Sequence, residues 1–167
     1  YLFSKKYFND DGLKLSEDIF HNNILVLSFK WEYFENKRKK YENIYRNGNL
    51  VMRTQWEYYG NGNYKSVNIQ NLLNNKIKNK KWFENGQVKS VLSYSSGLRD
   101  GKIQFQYESG QAKQLTHYIL GNVDNYSSDW YENGQLKEVK YFSNFERTAV
   151  WKTYHKNGQI ASKTTYN

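Results

Sequence analysis

Three histidines, His21, His117 and His155, and the carboxylates Glu84, Glu108 and Glu132 are the side chains with reactive chemistry to offer. Histidines act as metal ligands or general bases only when partners converge on them within a few ångström. Here they fall at three different registers of an internal repeat. Each of the three glutamates stands two residues before a turn glycine, so a hydrolytic carboxylate pair would have to cross repeat units, and nothing singles out one pair. Cysteine is absent, which removes disulfides and cysteine-ligated metal. No catalytic, cofactor or metal residue is assigned, and the chain is expected not to be an enzyme.

Binding chemistry is better represented. Trp56, Tyr58, Trp82, Trp130, Tyr131, Trp151 and Tyr154 could line a groove for a peptide, a glycan or a stacked base. The same rings could instead be a ladder holding β-hairpins together. The formal net charge is +9 with a pI near 9.5, a balance compatible with anionic partners. Two clusters are candidates for an anionic contact. One is the run Lys37, Arg38, Lys39 and Lys40. The other is Lys76, Lys78, Lys80 and Lys81, of which the first three alternate and so share one face of a strand. No glycines are arranged to cradle a phosphate.

These residues hang on a repeat. Gly12, Lys37, Gly62, Gly86, Gly110, Gly134 and Gly158 recur at intervals of 25, 25, 24, 24, 24 and 24 residues. The anchor sits in phrases such as Trp82-Phe83-Glu84-Asn85-Gly86-Gln87-Val88-Lys89 and Trp130-Tyr131-Glu132-Asn133-Gly134-Gln135-Leu136-Lys137. Asn-Gly between strand-like runs signals a tight hairpin, expected as type I′, in which both central residues have positive φ. A second turn lies about eleven residues on, as in Asn47-Gly48, Ser96-Gly97 and Leu120-Gly121. Two strands of roughly six to eight residues fit between turns. The position four before the anchor and the position eight after it are each aromatic in every unit but one. Position two after the anchor is mostly apolar, as at Val88, Ala112, Leu136 and Ile160. On an unbroken strand, positions two and eight share one side. Lysines at position three and valines at position five share the other.

Composition agrees with a sheet that lacks a conventional core. Of 167 residues, 18% are aromatic and only 38% hydrophobic, with a mean hydropathy of −0.98. Tyrosine and tryptophan suit half-wet positions. Proline is absent, as continuous ladders require. No apolar run approaches the 18 or so residues of a membrane-spanning helix. The chain starts at Tyr1 rather than methionine, which points to an upstream segment trimmed or removed as a signal. An exported location (periplasmic, surface or secreted) is thereby favoured over the cytoplasm.

The Tyr/Trp-x-x-Asn-Gly-Gln-x-Lys phrase, clearest at Trp82 to Lys89, Trp130 to Lys137 and Tyr154 to Ile160, resembles the bacterial MORN-repeat variant, including the YwqK antitoxin-like proteins. The resemblance implies an all-β, elongated, curved single-layer antiparallel meander of about seven tandem hairpins over residues 1–167, as one domain. It implies an interaction module for a protein or lipid partner, and the antitoxin name implies a toxin. The expected function is a non-catalytic scaffold for protein–protein interaction, exported and host-facing or antitoxin-like. The alternative is a basic surface that binds anionic lipid headgroups or nucleic acid. Exposed end strands invite self-association.

Overall fold

The computed structural model describes residues 1–166 of the chain. Fifteen strands follow one another without a helix among the described residues. They are β1 (Leu2–Phe8), β2 (Lys14–His21), β3 (Ile24–Tyr33), β4 (Lys39–Arg46), β5 (Asn49–Tyr58), β6 (Tyr64–Asn71), β7 (Lys76–Trp82), β8 (Val88–Ser95), β9 (Leu98–Arg99), β10 (Gly101–Gln106), β11 (Ala112–Ile119), β12 (Asn122–Trp130), β13 (Leu136–Ser143), β14 (Glu146–Tyr154) and β15 (Ile160–Tyr166). They form one open antiparallel meander in sequence order, in which β8 pairs with both β9 and β10. Each anchor lies in the turn between the two strands of its unit.

The turn chemistry differs from the sequence expectation. At the anchor, Gly86 N–H donates to Phe83 O at 3.0 Å, and Phe83 N–H donates to Gln87 O at 2.8 Å. Gly86 has φ +87°, whereas Asn85 is not in the left-handed region. This is a three-residue loop: a type I turn whose last residue is left-handed, not a type I′ pair. Type I′ geometry occurs at the other end of the strands. There both central residues have positive φ at Asn22-Asn23, Asn47-Gly48, Ser96-Gly97, Leu120-Gly121 and Asn144-Phe145. Lys37 keeps the anchor conformation, with φ +63° and the same two backbone bonds. The 25-residue interval therefore does not relieve its strain.

A bulge after every anchor revises the assignment of faces. Trp82 pairs with Val88 but Lys81 pairs with Ser90, leaving Lys89 as the extra residue. The equivalent slip occurs in all seven units, at Leu15, Lys40, Lys65, Lys89, Lys113, Lys137 and Ala161. An extra residue inverts the alternation beyond it. Positions two and eight after the anchor therefore face opposite sides, and Val67, Val91 and Val139 join Val88 and Leu136. One face, the tryptophan face, carries Trp31, Trp56, Trp82 and Trp130. The opposite face carries Phe20, Tyr45, Tyr94, Tyr118 and Phe142. The expected single aromatic ladder is two, one on each side.

Neither side is covered by another layer. The buried apolar residues are Val51, Ile103 and Val139, outnumbered by buried Ser28, Asn43, Thr54, Ser90 and Thr116. The sheet rests on its ladder bonds and on half-buried rings instead of an oily interior.

Candidate functional site

The anchor turns stack along one edge of the sheet, and their side chains are largely spoken for. Within a turn, Asn85 Oδ1 accepts from Gln87 N–H at 2.9 Å; Asn61, Asn133 and Asn157 make the same bond in their own turns. Between turns, Asn85 Nδ2 donates to Glu108 O at 3.0 Å, and Asn61 and Asn133 reach the next unit likewise. The Tyr131 hydroxyl donates to Tyr154 O at 2.9 Å, as Tyr59 and Tyr107 do to Trp82 and Trp130. Tyr131 is thus a turn-to-turn brace. The bulge lysines lie over the turn rings of their own units: Lys40 on Phe34, Lys89 on Phe83, Lys113 on Tyr107 and Lys137 on Tyr131, at 5.3 to 5.8 Å. The lysine at position three is therefore part of the hairpin's packing.

A different group stands out on the tryptophan face of units two to four. Phe34, Tyr58, Tyr64 and Trp82 form a continuous run, with ring centroids 6.0, 5.2 and 5.6 Å apart. The 84° tilt between Phe34 and Tyr58 and the stacking of Tyr58 on Tyr64 are both favourable aromatic geometries. Trp56 lies beside this run, with Lys39 Nζ 5.6 Å from its ring and 5.8 Å from Trp31. Glu42 accepts from Trp31 Nε1 at 2.9 Å and pairs with Lys39 at 3.5 Å. Burial pushes the Tyr58 hydroxyl pKa up, with Tyr64 adding to it and Arg38 opposing. Burial likewise raises that of Tyr33, where Lys14 opposes and Glu42 adds.

At the turn end of this run is an open cleft of about 570 Å³, lined by Tyr33, Phe34, Glu35, Asn36, Lys40, Tyr58, Tyr59 and Gly60. One lining residue, Gly60, departs from the repeat. Two residues before the anchor, the other units have Asp10, Glu35, Glu84, Glu108, Glu132 and Lys156, whereas unit three has Gly60. A β-carbon at Gly60 would meet nothing within 4 Å. The missing side chain is a signal that was present in the sequence and that the aromatic pattern alone did not reveal.

The remaining candidates are distributed. Trp130 and Tyr154 share the tryptophan face but belong to units six and seven. Trp151 lies on the opposite face, against Phe142 at 5.1 Å and Tyr166 at 4.7 Å. Spacing alone puts it there: Trp151 stands seven before its anchor, an odd offset, whereas Trp56 stands six before. Lys76, Lys78 and Lys80 are exposed on the tryptophan face, with Lys80 4.9 Å from the Trp82 ring; Lys81 points the other way, between Ser66 and Ser90. In the first basic run, Lys37 pairs with Asp11 at 2.9 Å, and the Arg38 guanidinium donates to Gly62 O and lies 5.2 Å from the Tyr58 ring. His21, His117 and His155 sit on β2, on β11 and in the last anchor turn. Among the described residues, no three His, Cys, Asp or Glu side chains are grouped to hold a metal ion.

A family described as the MORN repeat variant matches residues 77–96, 125–144 and 147–167. No curated protein matches the sequence. Among solved structures, a chain from "Crystal Structure of TcdB2-TccC3-Cdc42" is similar at 10% identity with a TM-score of 0.35, over 99% of this chain. This chain spans 13% of that one, and a likeness of that size carries no functional weight. Each matched segment brackets one anchor turn, so the likeness to the MORN repeat variant falls on the units anchored at Gly86, Gly134 and Gly158.

Proposed function

We propose that the chain is a non-catalytic repeat scaffold that binds another protein through the tryptophan face of units two to four. The observation that carries this reading is the run Phe34–Tyr58–Tyr64–Trp82, contiguous in space and left without a covering layer. Aromatic clusters of this kind, once a partner covers them, carry much of the binding energy of protein interfaces. The antitoxin-like or host-facing role belongs to this reading, because both roles require a bound protein and no chemistry of the scaffold's own.

Capture on the immobilised chain from bacterial lysate and from host-cell extract tests it. A protein that stays bound through a high-salt wash, and is lost with a stably folded Trp82→Ala variant, is the expected result. Retention of the same protein by Trp82→Ala would overturn the assignment to this face. A second reading draws on the exposed row Lys76, Lys78 and Lys80, which has no acidic partner within ion-pair distance among the described residues. Recovery of only nucleic acid or lipid, released by salt, would make that basic row the working surface.

A further inference from the structure

Charge is unequally divided between the two sides of the sheet. From β3 to β8, the tryptophan face presents Lys39, Arg46, Lys76, Lys78 and Lys80 against Glu42 alone. Glu42 is itself engaged by Trp31 and Lys39. Over the same strands the opposite face carries Lys30, Arg53 and Lys81 with Glu32 and Glu57, close to balance. The face with the unpartnered rings is thus also the strongly basic one. Its lysines flank those rings, so an occupant must bring carboxylates to the flanks and an apolar group to the middle.

The cleft beside Gly60 fits the apolar group. Its walls are the rings of Tyr33, Phe34, Tyr58 and Tyr59; with Arg38 over Tyr58 and Lys40 over Phe34, these two offer their edges to an inserted ring. Lys40 stands on its rim with no ion pair among the described residues, against one lining acid, Glu35. The rings are poorly placed to stack nucleobases. Arg38 lies over Tyr58, Lys40 over Phe34, Lys80 over Trp82 and Lys39 over Trp56, so cations of the chain already occupy those ring faces. We infer that the tryptophan face of units two to four docks an acidic, extended peptide segment, one of whose aromatic side chains enters the cleft beside Gly60. This inference rests on the protein-binding reading above and names the chemistry of the partner. Complementary charge sets the approach and the register, and the seated ring supplies most of the affinity.

Gly60 provides the test. Glutamate is the repeat's own residue at this position, and Gly60 needs neither a positive φ nor empty space for its fold. Gly60→Glu is therefore expected to leave the melting temperature unchanged while adding a side chain of the peptide's own charge to the cleft wall; Gly60→Gln adds bulk there without the charge. Fluorescence polarisation would compare four labelled probes: alternating (Glu-Phe)4, (Lys-Phe)4, octaglutamate and a dT8 oligonucleotide. The expected order places (Glu-Phe)4 first, at least tenfold tighter than any other probe. Both Gly60 variants should lose at least tenfold for (Glu-Phe)4, and Gly60→Gln should leave octaglutamate unchanged. Equal binding of (Glu-Phe)4 by the parent and both variants would overturn the cleft assignment. Tighter binding of dT8, or of phosphatidylserine vesicles in a parallel flotation assay, would overturn the peptide. If a protein captured from extract ignores Gly60→Glu but needs Trp82, this inference fails while the scaffold reading stands. If no protein is captured at all, the scaffold reading fails first.

Discussion

The side-chain oxygen of Gln111 lies 2.9 Å from the point where a β-carbon would stand on Gly134. Gln87 approaches Gly110 at 3.0 Å and Gln135 approaches Gly158 at 3.1 Å in the same way. The glycine of one unit is thus required by its positive φ, while the exposed glutamine of the unit before it would have to swing aside from a β-carbon.

Gly134→Ala should destabilise the chain by the roughly 1–2 kcal/mol that a side chain in the left-handed region costs, with a small excess for displacing the free end of Gln111. Gly97 has φ +81° with nothing within 4 Å of a built β-carbon, so Gly97→Ala should lose only the conformational part. Denaturant unfolding of the two variants checks the difference. Adding Gln111→Ala to Gly134→Ala should recover the excess.

Lys37 stands in the anchor conformation at φ +63° without being glycine. Its unit follows Leu13, not a glutamine, so no neighbour demands the space. Lys37→Gly should raise stability by about 0.5 kcal/mol, the relieved strain less the greater chain entropy of glycine. The exposed Lys37–Asp11 pair that is lost contributes little. A lower melting temperature would contradict this account.

Tyr131→Phe keeps the ring under Lys137 and removes only the hydroxyl that donates to Tyr154 O. A loss of about 1 kcal/mol is expected. Tyr107→Phe should cost a similar amount through Trp130 O. Amide exchange should quicken mainly at the two braced turns.

Burial raises the Asp129 pKa above its usual 3.8, and the facing Glu138 raises it further. The folded state therefore holds this proton more tightly than the unfolded state. Ionising Asp129 opposes folding, so the penalty is absent below the unfolded pKa and grows as pH rises through the folded one. Asp129→Asn should unfold at a higher temperature than the parent at neutral pH, and the two curves should converge below about pH 3. A variant less stable at pH 7 would show that the carboxylate is held by something other than desolvation.

The seven anchors, the hairpin count and the all-β meander were legible because a fixed period places the same residue types at every turn. Turn type was misread at Asn85-Gly86. Asn-Gly fits both turns, as the central pair of type I′ or as the last central residue of type I followed by a left-handed glycine, and only Gly86 is left-handed here. That error hid the bulge at Lys89, and parity counted across an undetected extra residue assigned Tyr94 and Val91 to the wrong sides. The row Lys76, Lys78 and Lys80 was read correctly because no bulge interrupts β7 there. The cleft was invisible to pattern counting, since its lining joins the turn residues of two neighbouring units, Phe34 to Asn36 and Tyr59 to Gly60.

Apart from β8, which skips the two-residue β9 to reach β10, each strand bonds only to strands adjacent along the chain, and the same three-residue turn and one-residue bulge close every unit. Units can then be added or removed at the far end without disturbing a distant surface, much as links can be taken from a chain without altering its clasp. The ring run and its cleft occupy units two to four, so the three units beyond are free to vary in number. Natural selection could lengthen or shorten this molecule by whole hairpins while the surface that meets the partner stays as it is.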